Sequence, residues 1–163
     1  MSDRRFENLV NEHGRQVLNT ALRVLGDANL AHDVHQEVFL AIWRRWPSYN
    51  GSTNWPAYLY RTTVRKALEA ARRQRRDRSA APERVESSGR PDDALRAAEL
   101  QQRLVAALAK LSRHQADVFV LSRLEGLGTD EIAQILGCSR QTVRVHLHRA
   151  LRKLSRELRI HLG

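Results

Sequence analysis

Apolar residues recur at intervals of three and four along nearly the whole chain, the spacing that lines one face of a helix. Phe6, Leu9, Val10, Val17, Leu18, Ala21, Leu22 and Leu25 mark a first amphipathic helix, ended by a turn at Gly26 and Asp27. Asp27 is placed to cap a second helix that runs to about Trp46, where Pro47 stops it. On that helix Leu30, Val34, Val38, Ala41 and Ile42 form an inward stripe. A polar loop follows at 47–54, and Pro56 suits the first turn of a third helix reaching the basic stretch near Arg76. Residues 79–93 have Pro, Gly and Ser and no large apolar residue beyond Val85, the composition of a linker. A fourth helix begins near Asp92 or Asp93 and carries Leu100, Leu104, Leu108 and Leu111, and Ser112 with Gln115 forms a capping box that opens the next. The pattern predicts an all-α fold of two small helical domains, 1–76 and 94–163, joined by a flexible linker at 77–93.

Residues 126–151 read as two helices joined by a tight turn. Thr129 is the expected N-cap of the first, with Asp130 and Glu131 in the opening turn where the helix dipole favours anions. Ile132, Ile135 and Leu136 supply its buried face. Gly137 ends it, since a left-handed C-terminal position suits glycine, and Ser139 caps the second helix. There Val143, Leu147, Ala150, Leu151 and Leu154 form the core stripe. Gln141, Val145, Arg149, Arg152 and Arg156 point away from it, with Arg144 and His148 on the shoulder. A helix, glycine turn and basic helix of this length is the helix-turn-helix arrangement that sets a recognition helix in the DNA major groove. An outward face of Arg and Gln contacts phosphates and base edges alike.

Charge supports a nucleic-acid partner. The 163 residues carry a formal charge of +10, with a pI near 11.0. Residues 65–78 hold seven cations against Glu69 and Asp77, and residues 139–163 hold seven against Glu157. One basic patch closes each half, which fits two separate contacts along a duplex. No stretch approaches the length of apolar sequence that spans a bilayer, and the first ten residues lack a signal-peptide core, so the chain is expected to be cytoplasmic without membrane insertion. A single cysteine, Cys138, excludes an internal disulfide framework; it lies in the glycine turn, where a small buried residue fits.

Seven of the nine aromatic residues fall between Phe39 and Tyr60. Beside Arg44, Arg45, Arg61 and Arg65 they describe either a bulky core or a surface that stacks unpaired bases. On the second helix the inward stripe sends Asp33, Gln36, Leu40 and Trp43 outward. Exposed Leu and Trp among polar residues mark a protein-partner surface, unless a neighbouring helix covers them. Enzyme chemistry finds no support. His32 and His35 have no third metal ligand at recognisable spacing, Asp33 and Glu37 sit one turn apart as solvated or ion-paired carboxylates do, and no phosphate-cradling glycine loop is present. No catalytic residue, metal or cofactor is expected.

These residues also carry a family resemblance. The run Asp33-Val34-His35-Gln36-Glu37-Val38-Phe39 resembles the Asp-x-x-Gln-Glu-x-Phe pattern of bacterial RNA polymerase sigma factors, in particular the small extracytoplasmic-function (ECF) group, which has only the second and fourth conserved-region domains. Leu25-Gly26-Asp27, Tyr58-Leu59-Tyr60-Arg61 and the 72–76 arginine run are similar to the rest of the N-terminal domain. Gly126-Leu127, Glu131-Ile132-Ala133, Leu136-Gly137, Thr142-Val143 and Leu147-His148-Arg149-Ala150 are similar to the C-terminal one. The resemblance spans about residues 6–158. It implies a factor that binds core RNA polymerase and directs promoter-specific initiation on duplex and single-stranded DNA, under the control of an anti-sigma factor in many members. It places Asp33, Gln36 and Glu37, with the neighbouring Leu40 and Trp43, against the polymerase. Ser48, Tyr49, Asn50, Ser52, Thr53 and Asn54 match the loop that captures a flipped minus-10 base, and Tyr58, Arg61 and Arg65 the helix that melts that element. Arg140, Gln141, Arg144, Val145, His148 and Arg149 fall on the helix that reads the minus-35 element. Where the family often has Asn, Lys, Ser and Arg, this chain has Arg65, Arg144, Val145 and His146, departures that bear on promoter sequence. The long extra C-terminal domain that some ECF members use for control is not expected from the residues that carry the resemblance. The rival reading of the residues is a helix-turn-helix regulator that binds a two-fold symmetric duplex site as a homodimer.

Overall fold

The computed structural model describes residues 2–49, 51–80 and 92–162. Among them are seven α-helices and no strand: α1 (Ser2–Leu25), α2 (Ala28–Arg44), α3 (Trp55–Ala80), α4 (Asp92–Ala109), α5 (Arg113–Phe119), α6 (Thr129–Leu136) and α7 (Arg140–Leu162). Asp27 caps α2 as expected, its Oδ1 accepting from the backbone N–H groups of Asn29 and Leu30 at 2.9 and 3.2 Å. That helix stops at Arg44, two residues early, and Pro47 sits inside a 3₁₀ turn at Trp46–Ser48. Pro47 has no N–H to give, so the chain tightens before it reaches the ring. At the other end, α3 continues past Arg76 to Ala80, so residues 77–80, read from sequence as linker, are helical. Residues 81–91, the rest of that linker up to the start of α4, lie outside the described residues.

Helices α1, α2 and α3 enclose the N-terminal core, with Val17, Val24, Val34, Val38, Ile42, Leu59 and Val64 nearly fully buried. Leu22 and Leu100, expected on inward faces, are exposed instead. In the C-terminal half the Ser112–Gln115 capping box is formed in both directions. Arg113 and His114 are exposed at the start of α5, but every residue from Gln115 to Leu121 is buried, so the rest of the helix is enclosed on all sides rather than along one stripe. It continues without a break as a π-helical turn, Val120–Leu124.

The two halves pack directly against one another, and their buried apolar residues form one continuous cluster. Arg72 of α3 donates from Nε to the Ala109 carbonyl at 3.3 Å and from Nη2 to that of Leu111 at 3.5 Å. Arg75 donates to the Ala106 carbonyl at 3.3 Å. The Ala106 and Ala109 carbonyls are orphans at the C-terminal end of α4, where the helix dipole favours a cation, and Leu111 lies just beyond it. Arg23 of α1 reaches both carboxylate oxygens of Glu125, at 3.0 and 2.9 Å. Gly26 has a φ of +64°, and a Cβ there would lie 2.5 Å from Gln101 Cγ of α4, so both the backbone and the packing require glycine.

Candidate nucleic-acid interface

The helix-turn-helix is built much as its sequence indicates. Gly137 adopts φ +68° and ψ +37° and closes α6. Ser139 Oγ then accepts from the Thr142 N–H at 3.1 Å and opens α7. One cap differs: Gly128, not Thr129, precedes α6 in extended conformation, and Thr129 is the first helical residue with no side-chain cap bond. Asp130 and Glu131 still occupy the first turn. Val143, Ala150 and Leu154 are buried, while Leu147 and Leu151 pack partly buried against them. Arg140, Gln141, Arg144, His148 and Arg149 are exposed along one side, with Val145 half-buried among them and Cys138 half-buried in the turn. The outer edge of the second helix is therefore a row of donors, two or three turns long, on a firmly anchored element.

The loop between α2 and α3 is held by an aromatic cluster. Trp46 and Trp55 stack with centroids 5.8 Å apart at 24°, and Tyr49 meets Trp55 at 5.1 Å and Tyr58 at 5.6 Å. The Tyr49 and Tyr58 hydroxyls lie 2.6 Å apart. Burial, and secondarily this hydrogen bond, pushes the Tyr49 hydroxyl up to about 12, so it stays protonated at working pH. Beside the loop lies a hollow of about 590 Å³ walled by Trp46, Tyr49 and Trp55 and edged by Arg5, Asn8 and His13. Of the polar loop residues, Ser48 donates to the Arg45 carbonyl at 2.6 Å, and Asn54 Oδ1 accepts from the Ala57 N–H at 3.3 Å as a cap of α3. Ser52 is exposed and Thr53 half-buried; Asn50 lies outside the described residues. Arg61 and Arg65 are exposed on α3. The aromatic residues thus act as core and wall together, which the spacing alone left open.

Next to this cluster, α2 presents Asp33, Gln36, Leu40 and Trp43 to the surface, with Leu40 47 % and Trp43 41 % exposed. Among the described residues α1 borders this face but does not cover it. Glu37 lies 3.6 Å from Arg73 of α3. Sequence reasoning missed Phe6 as a member of this surface: its ring meets Trp43 at 4.9 Å and Trp46 at 5.4 Å. Together with Val10, Phe39 and Leu40 it lines an open groove of about 660 Å³ between α1 and α2. Only the pairing of α1 with α2 brings Phe6 there, and no local signal announces it. Asp117 was missed as well. It is buried on α5 and lines a cleft of about 240 Å³ with Arg65, Arg72 and Arg113. Among the described residues no group of three or more metal-ligating side chains occurs, and no helix is long and apolar enough to cross a membrane.

A helix-turn-helix with a basic second helix, and an aromatic-walled loop beside an arginine-bearing helix, suit a DNA-binding protein. Residues 9–77 match the Sigma-70 region 2 family and residues 101–154 the Sigma-70, region 4 family. The chain is 38 % identical over 152 residues to the ECF RNA polymerase sigma factor SigL of Mycobacterium tuberculosis, covering 90 % of this chain and 84 % of that protein. It is 32 % identical over 154 residues to the ECF RNA polymerase sigma factor SigE of Mycolicibacterium smegmatis, covering 91 % of this chain and 60 % of that longer protein. The structure of CnrH in complex with the cytosolic domain of CnrY is similar at TM-score 0.60 and 27 % identity, over 97 % of this chain and 90 % of that one. A sigma factor RpoE of Bartonella quintana, solved with the anti-sigma factor NepR, shares the fold at TM-score 0.55 and 20 % identity, over 96 % and 98 % of the two chains. The chain belongs to the ECF RNA polymerase sigma factors, the initiation factors that bring core RNA polymerase to promoter DNA. Membership decides between the two readings of the sequence, against the homodimeric regulator.

Proposed function

We propose that residues 1–76 bind core polymerase through the outer face of α2 and open the minus-10 element, and that residues 94–163 read the minus-35 element as duplex. Asp33, Gln36, Glu37, Leu40 and Trp43 form the polymerase contact. Apolar side chains exposed to this degree on a small domain are the kind of anchor that protein interfaces bury. The loop from Ser48 to Asn54 receives an extruded base against the Tyr49 wall, with Arg61 and Arg65 following the backbone, because unstacking a base costs a few kcal/mol that stacking and polar contacts must return. Arg140, Gln141, Arg144, Val145, His148 and Arg149 meet the duplex in the major groove.

The observation that carries this reading is the coexistence on one chain of a duplex-suited recognition helix and an aromatic-walled polar loop. A regulator that reads duplex alone needs only the first. A partner protein that restrains the factor is part of the proposal: CnrH is solved with the cytosolic domain of CnrY, and the groove between α1 and α2 offers apolar surface for such a contact. Purified protein with bacterial core polymerase is expected to start transcription at a matching promoter, while the protein alone binds that DNA weakly. Tight two-fold symmetric binding by the isolated chain would overturn the proposal.

A further inference from the structure

Asp130 and Arg140 bridge the two helices of the helix-turn-helix. Asp130 is the second residue of α6 and Arg140 the first of α7, and Arg140 Nε lies 2.7 Å from Asp130 Oδ1. Both ends stand on fixed elements: Ile132 and Ala133 anchor α6 in the core, Val143 anchors α7, and Ser139 caps it. The two side chains are 64 % and 68 % exposed, so the pair adds little to stability. Its effect is geometric.

We propose that Asp130 is a positioning residue for promoter recognition, holding the Arg140 guanidinium by its Nε edge so that the terminal nitrogens meet the duplex in one orientation. This rests on the assignment of α7 to the minus-35 element. An unrestrained arginine samples many rotamers and serves phosphates as readily as bases. With the carboxylate lying against Nε, the Nη1–Nη2 edge is the donor pair left open, and a guanidinium fork of this kind matches the two acceptors of guanine. The same carboxylate repels the phosphate backbone and withholds one cation from it. Asp130 therefore gives up non-specific affinity for discrimination, and this combination separates positioning from a merely structural role.

The test uses full-length protein with core polymerase on a promoter library randomised across the minus-35 element, with transcripts counted by sequence. Arg140→Ala is expected to flatten base preference at one position. Asp130→Asn is expected to flatten it at the same position by about tenfold, and the double variant to match Arg140→Ala. On non-specific duplex, Asp130→Asn is expected to bind more tightly, with a salt dependence steeper by about one released counterion. Asp130→Asn with the parent's base preference and salt dependence would overturn the positioning role. Arg140→Ala with the parent's preference would instead remove Arg140 from the minus-35 contact, and the inference would fall with that assignment.

Discussion

Asp117 is the residue at which this fold works against its own electrostatics. Its side chain is 5 % exposed, and Oδ1 has no hydrogen-bond partner. Burial pushes its carboxyl up from 3.8 to about 6, against the opposing pull of Arg113, His114 and Arg72. The folded chain therefore holds this proton more tightly than the unfolded chain. The stabilisation is complete below about pH 4 and is lost as pH rises toward 6, leaving a cost at pH 7 of at most about 3 kcal/mol. Asp117→Asn is expected to raise stability at pH 7 by about 1–2 kcal/mol and to flatten the dependence between pH 4 and 6, as read by urea unfolding across that range. At the proposed polymerase surface the side chains differ in kind. Gln36 is exposed, so Gln36→Ala should lower affinity for core polymerase with no change in unfolding midpoint. Trp43 rests on Phe6, so Trp43→Ala should lower the same affinity and also cost about 1 kcal/mol of stability.

At the scale of elements, the turn between α6 and α7 sets the angle of the recognition helix. Gly137 sits at φ +68°, and nothing lies within 4 Å of where its Cβ would be. Gly137→Ala therefore meets only conformational strain, about 1–2 kcal/mol, and should lower the thermal midpoint and weaken minus-35 duplex binding together. The α2–α3 loop divides its labour differently. Ser48 and Asn54 are committed to backbone carbonyl and cap contacts, and the Tyr49 ring is locked among Trp46, Trp55 and Tyr58. Tyr49→Phe should cost about 1 kcal/mol for the lost hydroxyl bond and keep the wall. Asn50→Ala should leave polymerase binding unchanged and reduce promoter opening, scored by permanganate reactivity of unpaired thymines. Unchanged opening in Asn50→Ala would make that residue a connector.

For the molecule as a whole, the arginine-rich end of α3 does two things. Its charge suits a nucleic-acid backbone, yet Arg72 and Arg75 also terminate α4 by donating to its Ala109 and Ala106 carbonyls. The junction is completed by Arg23 on Glu125, whose side chain is 3 % exposed. Arg72→Ala leaves the Ala109 and Leu111 carbonyls without this donor and removes one of the charges facing Asp117. The halves should then separate more readily, seen as a larger radius of gyration in small-angle scattering and faster amide exchange at the end of α4, with helix content unchanged.

The sequence by itself determined the order of helices, most of their caps and their partner class. Periodicity depends on local geometry, and Asp27, Ser112, Gly137 and Ser139 act on backbone groups within a few residues, so their roles are legible along the chain. The outward set on α2 and the donor row on α7 follow from the same arithmetic, and the order of motifs carries the family. The exposure of Leu22 and Leu100 was decided by tertiary packing, because periodicity ranks residues without knowing which neighbour arrives. Tertiary structure alone placed Phe6 beside Trp43, buried Asp117 among arginines from two helices, and set Arg72 on the end of α4. Each of these joins residues far apart in the chain, and their energies come from desolvation and close packing, which exist only once the helices have met.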